Sequence, residues 1–235
     1  MKNLERWPSG LRRTLGKRVN TKVFRGFESL PLCNPLFIVN FNKLTFFITL
    51  CFCIVLLSNC KKGYQDRFGP FYILNDTTIV MNGDMGSRVD NQFDRLISKY
   101  PNIKLMIMED CPGSRNDEQM FKAALQLHSL SINTHLPSNG KIQSGAVDLY
   151  LSGNKRTMVE GAKIGVHAWS DGSSSATDYP TNHSEHQLYI NFYKSIGYSQ
   201  QDAESLYFFI INAAVPEDIH WMSEQEIIDY QITNP

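Results

Sequence analysis

Two short stretches hold side chains that could do chemistry together. Gly140-Lys-Ile-Gln-Ser144-Gly-Ala146 sets a serine among small residues at the end of an expected strand, and Lys163-Ile-Gly-Val-His167-Ala-Trp169 sets a histidine at the end of another. A serine hydroxyl is a poor nucleophile until a base takes its proton, so Ser144 needs His167 within hydrogen-bond reach. The chemistry this pair would run is acyl transfer, with the histidine as general base and then general acid. Each residue alone has a plainer role. A serine in Gln-Ser-Gly-Ala suits a helix N-cap, and a lone histidine suits a half-buried site with satisfied nitrogens.

Other reactive residues fit less well. His183-Ser-Glu-His186, with His167 as a third ligand, offers a zinc alternative, but the pair lacks a convincing third-ligand motif, so no metal and no cofactor is expected. Cys111 reads as a small buried thiol. The aromatic residues Tyr189, Phe192, Tyr193, Tyr207, Phe208 and Phe209 read as core or subunit contact rather than a ligand box.

The elements that must position the pair follow from hydrophobic period. Residues 77–81 form a β-rich run ended by Asn82-Gly83, and 89–100 carry apolar residues at helical spacing. Residues 103–108 read as a buried strand, 116–131 as a helix with Met120, Ala123, Ala124, Leu127 and Leu130 on one face, and 131–136 as a strand. Two further helices are expected near 184–195 and 199–214. Strand alternating with helix predicts parallel βαβ units, an α/β fold with right-handed crossovers and C-terminal helices.

Composition bounds the rest. The chain has 235 residues, 42% of them hydrophobic, which supports one good core and hardly two. Lys and Arg number 23 against 23 Asp and Glu, so charge gives no support to a nucleic-acid partner. Only Cys111 of five cysteines lies past residue 60, which leaves the globular part no intrachain disulfide.

The N-terminal segment differs in kind. Residues 1–35 are rich in Arg and Lys without a sustained apolar period. Arg6-Trp-Pro-Ser-Gly10 and Gly26-Phe-Glu-Ser29 are similar to the peptide obtained when the D-arm and T-arm of a transfer-RNA gene are translated, which makes the segment a start-site artefact. The alternative is a basic, disordered or nucleic-acid-binding arm; either way it stands outside the fold. Residues 44–58 then form an apolar run behind Lys43, shorter than a membrane-spanning helix needs. Residues 36–59 therefore read as a signal peptide, and Leu57-Ser-Asn-Cys60 resembles a bacterial lipobox that would make Cys60 the lipidated first residue, although Asn59 replaces the usual Gly, Ala or Ser. An uncleaved anchor is the alternative. Both readings place the following chain outside the cytoplasm, in the cell envelope, with 60–75 as a tether and 76–235 as the domain.

The order of motifs over roughly 76–233 resembles the Clp protease proteolytic subunit and its wider ClpP/crotonase superfamily, closest to the secreted ClpP-like branch. Ile79-Val-Met-Asn-Gly83 is similar to the first core strand and its glycine turn, and Met106-Ile-Met-Glu-Asp-Cys-Pro-Gly-Ser114 to the strand ending in the Ser-Pro-Gly-Gly loop. Gly140 to Ala146 is similar to the nucleophile segment, Gly161 to His167 to the histidine segment, and Trp221-Met-Ser-Glu-Gln-Glu-Ile-Ile-Asp-Tyr-Gln-Ile232 to the closing helix and strand.

The resemblance implies a spiral of βαβ units and a serine peptidase acting on a peptide or small acyl substrate. It implies an oxyanion hole formed by the Gly145 N–H and the Gly113-Ser114 turn, where Ser114 stands in place of the second glycine. It points to Asp218 as the third triad member, one residue displaced from the family's aspartate, with Glu217 or Asp171 as substitutes. The alternative is a ClpP-like scaffold that has lost turnover and serves as a binding lipoprotein. A homo-oligomer is compatible with either, whereas an ATP-driven unfoldase partner is not expected outside the cytoplasm.

Overall fold

The computed structural model describes residues 63–235, so the basic segment, the apolar run and Cys60 lie outside it. Ten strands and six helices follow one another among these residues. They are β1 (Asp66–Phe68), β2 (Phe71–Asn75), β3 (Thr78–Met81), α1 (Val89–Lys99), β4 (Leu105–Met108), β5 (Asp110–Cys111) and α2 (Asp117–Ser129). Next come β6 (Asn133–Leu136), β7 (Lys141–Gln143), α3 (Gly145–Leu151), β8 (Arg156–Met158), β9 (Lys163–Val166), α4 (Gln187–Ser195), α5 (Gln200–Ala213), β10 (His220–Trp221) and α6 (Glu224–Asp229).

The strands divide between two sheets, ordered β1-β2-β3-β4-β6-β8 and β10-β9-β7-β5. Strands β4, β6 and β8 join the first, and the strand after each, β5, β7 and β9, joins the second. Each turn of the chain thus lays one short strand in each sheet, with α2 and α3 closing successive turns. Pairing is parallel from β3 through β4, β6 and β8, and parallel again through β5, β7 and β9. This is the α/β spiral of βαβ units with C-terminal helices that the sequence led us to expect.

Side-chain type explains the elements. Leu-Met-Ile-Met in β4 is continuously apolar, as a strand paired on both edges and covered by helices requires. Helix α1 buries Val89, Phe93 and Leu96, spaced four and three residues apart, so that they share one face. Helix α2 starts where the Asn116 side chain accepts the Gln119 N–H at 3.0 Å, and buries Met120, Phe121, Ala123, Ala124 and Leu127. Helix α4 packs on it through Phe121, whose ring centroid is 5.2 Å from Tyr189 and 4.4 Å from Phe192.

One feature departs from expectation. Residues 60–75 read as a tether in the sequence, yet β1 and β2 form an antiparallel hairpin that extends the first sheet from β3. Phe71 and Ile73 of that hairpin are fully buried, which is why the domain begins before residue 76. The C-terminal tail is pinned by a buried cation that has no carboxylate partner among the described residues. Arg156, 8% exposed, donates to the carbonyls of Ile232 at 2.8 Å and Gln231 at 3.0 Å. Charge-assisted bonds of this kind compensate the guanidinium for its lost hydration.

Candidate active site

Strand register brings Ser144 and His167 together. In the parallel β7–β9 pair Gln143 lies opposite Gly165, and the Ser144 N–H donates to the Gly165 carbonyl at 3.1 Å. Ser144 is the first residue past β7 and His167 the first past β9, so both leave the sheet at the same end, where α/β sheets gather ligand-binding side chains. Ser144 turns sharply into α3 with φ 52° and ψ −137°, a conformation that costs a non-glycine residue about 1–3 kcal/mol. It occupies the N-cap position, but its hydroxyl makes no capping bond. The plain N-cap role is thus unfilled, and the side chain faces a small cleft with room for about 30 Å³, which His167 also lines. No hydrogen bond joins the two side chains among the described residues.

The turn holding Gly113 and Ser114 packs directly against this elbow. Gly113 has φ 135°, and a Cβ there would lie 2.9 Å from the Ser144 Cβ, so the position admits only glycine. A Cβ on Gly145 would meet the Ser114 Oγ at 2.5 Å and its Cβ at 2.9 Å. The positive φ falls on Gly113, and Ser114 is accommodated without one. On its other side the turn bridges to Met85, whose N–H donates to the Gly113 carbonyl while the Arg115 N–H donates back to the Met85 carbonyl, both at 2.9 Å. In such a bridge the intervening Ser114 N–H points the opposite way, toward Gly145. Neither the Gly145 nor the Ser114 N–H has an accepting partner among the described residues, and Gly145 lines the cleft.

His167 is held by backbone. Its Nδ1 lies 2.8 Å from the Ala168 carbonyl, and a carbonyl only accepts, so the neutral ring carries its proton on Nδ1 and presents a lone pair at Nε2. Ala168 is fixed in turn by its own N–H, which donates to the Ala214 carbonyl at 2.9 Å just past α5. The carboxylates considered as the third member are engaged elsewhere. Asp218 is exposed, and its Oδ1 accepts the N–H of Ile219 at 2.8 Å. Asp171 accepts the N–H groups of Ser173 and Ser174, which hold its carboxyl below the usual range. Glu217 is exposed and lines a separate surface depression with Asp178. Among the described residues, no carboxylate bonds His167.

No protein-family model and no curated protein matches this sequence. Solved structures with a similar course include the 1510-N membrane-bound stomatin-specific protease in complex with a substrate peptide. It is 20% identical over 67% of this chain and 72% of its own, with a TM-score of 0.45. The 1510-N membrane protease specific for a stomatin homolog from Pyrococcus horikoshii is 18% identical over 67% of this chain and 70% of its own, with a TM-score of 0.42.

The far wall of the cleft holds groups that sequence reasoning missed. Asp117, Asp148, Trp169, Tyr189, Tyr193 and Tyr207 line it with Ser144 and His167. Asp117 opens α2 and accepts hydroxyl hydrogen bonds from both Ser114 and Tyr189, so the turn that carries one oxyanion donor is tied to α4. Asp148, on α3 and 6% exposed, accepts from the Tyr193 hydroxyl at 2.6 Å. Burial pushes its carboxyl up to about 8; the Tyr193 bond opposes the rise, and the Asp117 charge adds to it. A detectable signal was present, since Tyr189 and Tyr193 lie four apart on one helix face and their hydroxyls need partners when buried.

The zinc alternative finds no site. His186 has Nδ1 2.7 Å from the Tyr207 hydroxyl and Nε2 3.0 Å from the Pro180 carbonyl, so both nitrogens are engaged. The Trp169 indole N–H donates to the same Tyr207 hydroxyl at 3.0 Å, which makes these residues a bracket for the cleft wall. Among the described residues, no group of three or more His, Cys, Asp or Glu side chains is placed to hold a metal ion. Cys111 is buried beneath the oxyanion turn and its Sγ donates to the Met81 carbonyl at 3.5 Å; burial pushes its thiol up to about 12. It is inert rather than nucleophilic.

Proposed function

We propose that this chain is a serine hydrolase of the peptidase type, tethered to the outside of a bacterial membrane through Cys60. One observation carries the catalytic reading: Ser144 sits in a strained strand-to-helix elbow with its hydroxyl unused as a cap, in the same cleft as the open Nε2 of His167. A helix start that needed only an N-cap would not require this backbone strain.

The chemistry follows from the geometry. Rotation about the Ser144 side chain presents its hydroxyl to His167 Nε2, which accepts the proton as Oγ attacks the substrate carbonyl. The developing oxyanion is received by the N–H groups of Gly145 and Ser114. The imidazolium then gives its proton to the departing amine, leaving an acyl group on Ser144. Water, deprotonated by the same nitrogen, displaces the acyl group and restores the serine hydroxyl. The Ala168 carbonyl takes the orienting place of a carboxylate, fixing the tautomer while contributing less charge stabilisation to the imidazolium than an anion would.

That weaker support favours a slow hydrolase over a fast one, and it also supports a second reading, a binding lipoprotein without turnover. Hydrolysis of short peptide and ester substrates by the full-length chain, compared with Ser144→Ala and His167→Ala, separates the two. Turnover lost in both variants is the expected result; equal turnover in all three, or none in any, leaves only the binding role. Labelling of Cys60 by a fatty-acid precursor, lost in Cys60→Ala, tests the tether independently.

A further inference from the structure

Resting on the hydrolase reading, we infer that the cleft beside Ser144 admits a side chain no larger than a methyl or hydroxymethyl group, so that the residue donating the scissile carbonyl is a small one of the alanine type. The first support is size. The cleft has room for about 30 Å³. One water-sized volume takes roughly 10–15 Å³ of such space, so a methyl group fits and the branched stem of leucine does not.

The second support is place. In the acyl-enzyme the residue that donates the carbonyl is bonded to the Ser144 hydroxyl oxygen, while the Gly145 N–H receives the carbonyl oxygen. Ser144, Gly145 and His167 all line this cleft, so the side chain on the carbon next to that carbonyl lies against it. Behind them the cleft ends on Val147, Val166 and Ile211, all buried, which gives a methyl group apolar cover.

The third support is a wall that resists retreat. Tyr189, Tyr193 and Tyr207 occupy the space that a longer side chain would need, and each phenol is fixed by its hydroxyl. Tyr189 donates to Asp117, and Tyr193 donates to Asp148 at 2.6 Å. Tyr207 accepts the Trp169 indole N–H at 3.0 Å. The Pro180 carbonyl only accepts, so in its neutral form His186 carries the proton on Nε2, and its Nδ1 accepts from the Tyr207 hydroxyl at 2.7 Å. The rings are also packed from behind: the Tyr189 centroid lies 5.2 Å from Phe121, 5.5 Å from Tyr207 and 6.1 Å from Trp169. Turning any of these phenols aside breaks a hydrogen bond of a buried polar group and disturbs close packing, so a larger substrate side chain meets a steric penalty rather than a yielding surface.

The test uses the full-length chain and two matched fluorogenic peptide amides, one with alanine and one with leucine on the acyl side of the scissile bond. Alanine should be preferred by ~30-fold in kcat/KM, and Tyr189→Ala, which opens the wall, should bring the two within ~3-fold. The ratio cancels any loss common to both peptides. A parent that turns over leucine as well as alanine or better, or a preference unchanged in Tyr189→Ala, overturns the inference. Where Tyr189→Ala does not fold by circular dichroism or does not turn over, Ile210→Ala, which removes apolar wall and breaks no hydrogen bond, takes its place with the same two outcomes. A binding arm keeps this result apart from the hydrolase reading. Titration of full-length Ser144→Ala with the same peptides, followed by tryptophan fluorescence, should show tighter binding of the alanine peptide. Tighter alanine binding without any turnover by the parent supports the narrow cleft and sinks the hydrolase. Equal or tighter binding of leucine, or no binding of either, sinks the narrow cleft even if the parent hydrolyses the alanine peptide.

Discussion

The two walls of the cleft are built by opposite means. On the strand side, backbone does the positioning: parallel register sets Ser144 beside Gly165, a positive φ aims its side chain, and a main-chain carbonyl orients His167. On the helical side, side chains position one another, Asp117 through Ser114 and Tyr189, and Asp148 through Tyr193. The strand side leaves its polar groups free: the Ser144 hydroxyl, the His167 Nε2 and the Gly145 N–H belong to residues lining the cleft, and the Ser114 N–H of the adjoining turn is also without an acceptor among the described residues. The helical side satisfies most of its own. Free groups held by rigid backbone suit bond making, and paired groups at the end of an apolar cleft suit recognition.

The comparison breaks if variants on the two sides have the same phenotype. The largest effect belongs to the strand side: Ser144→Ala should lower kcat by at least ~10³-fold while the peptide still binds, measured by steady-state turnover beside binding. Next is Gly113→Ala, which drives a Cβ to 2.9 Å from the Ser144 Cβ and disturbs the turn carrying the Ser114 donor. A loss of ~10²-fold in kcat with a smaller change in KM is expected; a KM effect alone would remove the turn from the chemistry.

The helical side should show itself in stability. The Asp148 carboxyl rises from 3.8 to about 8 on folding, so the folded chain holds this proton more tightly than the unfolded chain. Its contribution is full below pH 3.8 and is lost as pH rises to about 8. Each tenfold gain in proton affinity on folding contributes about 1.4 kcal/mol. Thermal denaturation should therefore show the parent losing more stability between pH 4 and pH 9 than Asp148→Asn does. A parent and variant with parallel pH curves would mean that Asp148 is solvated. Cys111 should change least: with its thiol up to about 12, it should resist iodoacetamide at pH 8 until the chain is unfolded. Rapid native alkylation would show the floor beneath the oxyanion turn to be open.

The same contrast explains what is legible in the sequence. The spiral can be read because β3, β4 and α2 carry their period locally, and the Ser144 and His167 segments because small residues and strand ends mark them. The β1–β2 hairpin escapes because Asp66–Phe68 and Phe71–Asn75 are short and acquire their burial only on pairing with β3. The aromatic residues of α4 and α5 read as core or contact, and in part they are, since Phe192 is buried against Phe121. Which phenols face the cleft is decided by packing across elements far apart in sequence, 72 residues between Tyr189 and Asp117. The orienting partner of His167 escapes for a related reason: a search among carboxylates does not see a neighbouring carbonyl.

The most direct test of the account is the site of covalent modification. Treatment of the full-length chain with a fluorophosphonate, followed by intact-mass measurement and peptide mapping, should give one adduct on Ser144, reduced in His167→Ala and absent in Ser144→Ala. No adduct on the folded parent at saturating probe, or an adduct that persists in Ser144→Ala, would contradict the assignment of Ser144 as the nucleophile.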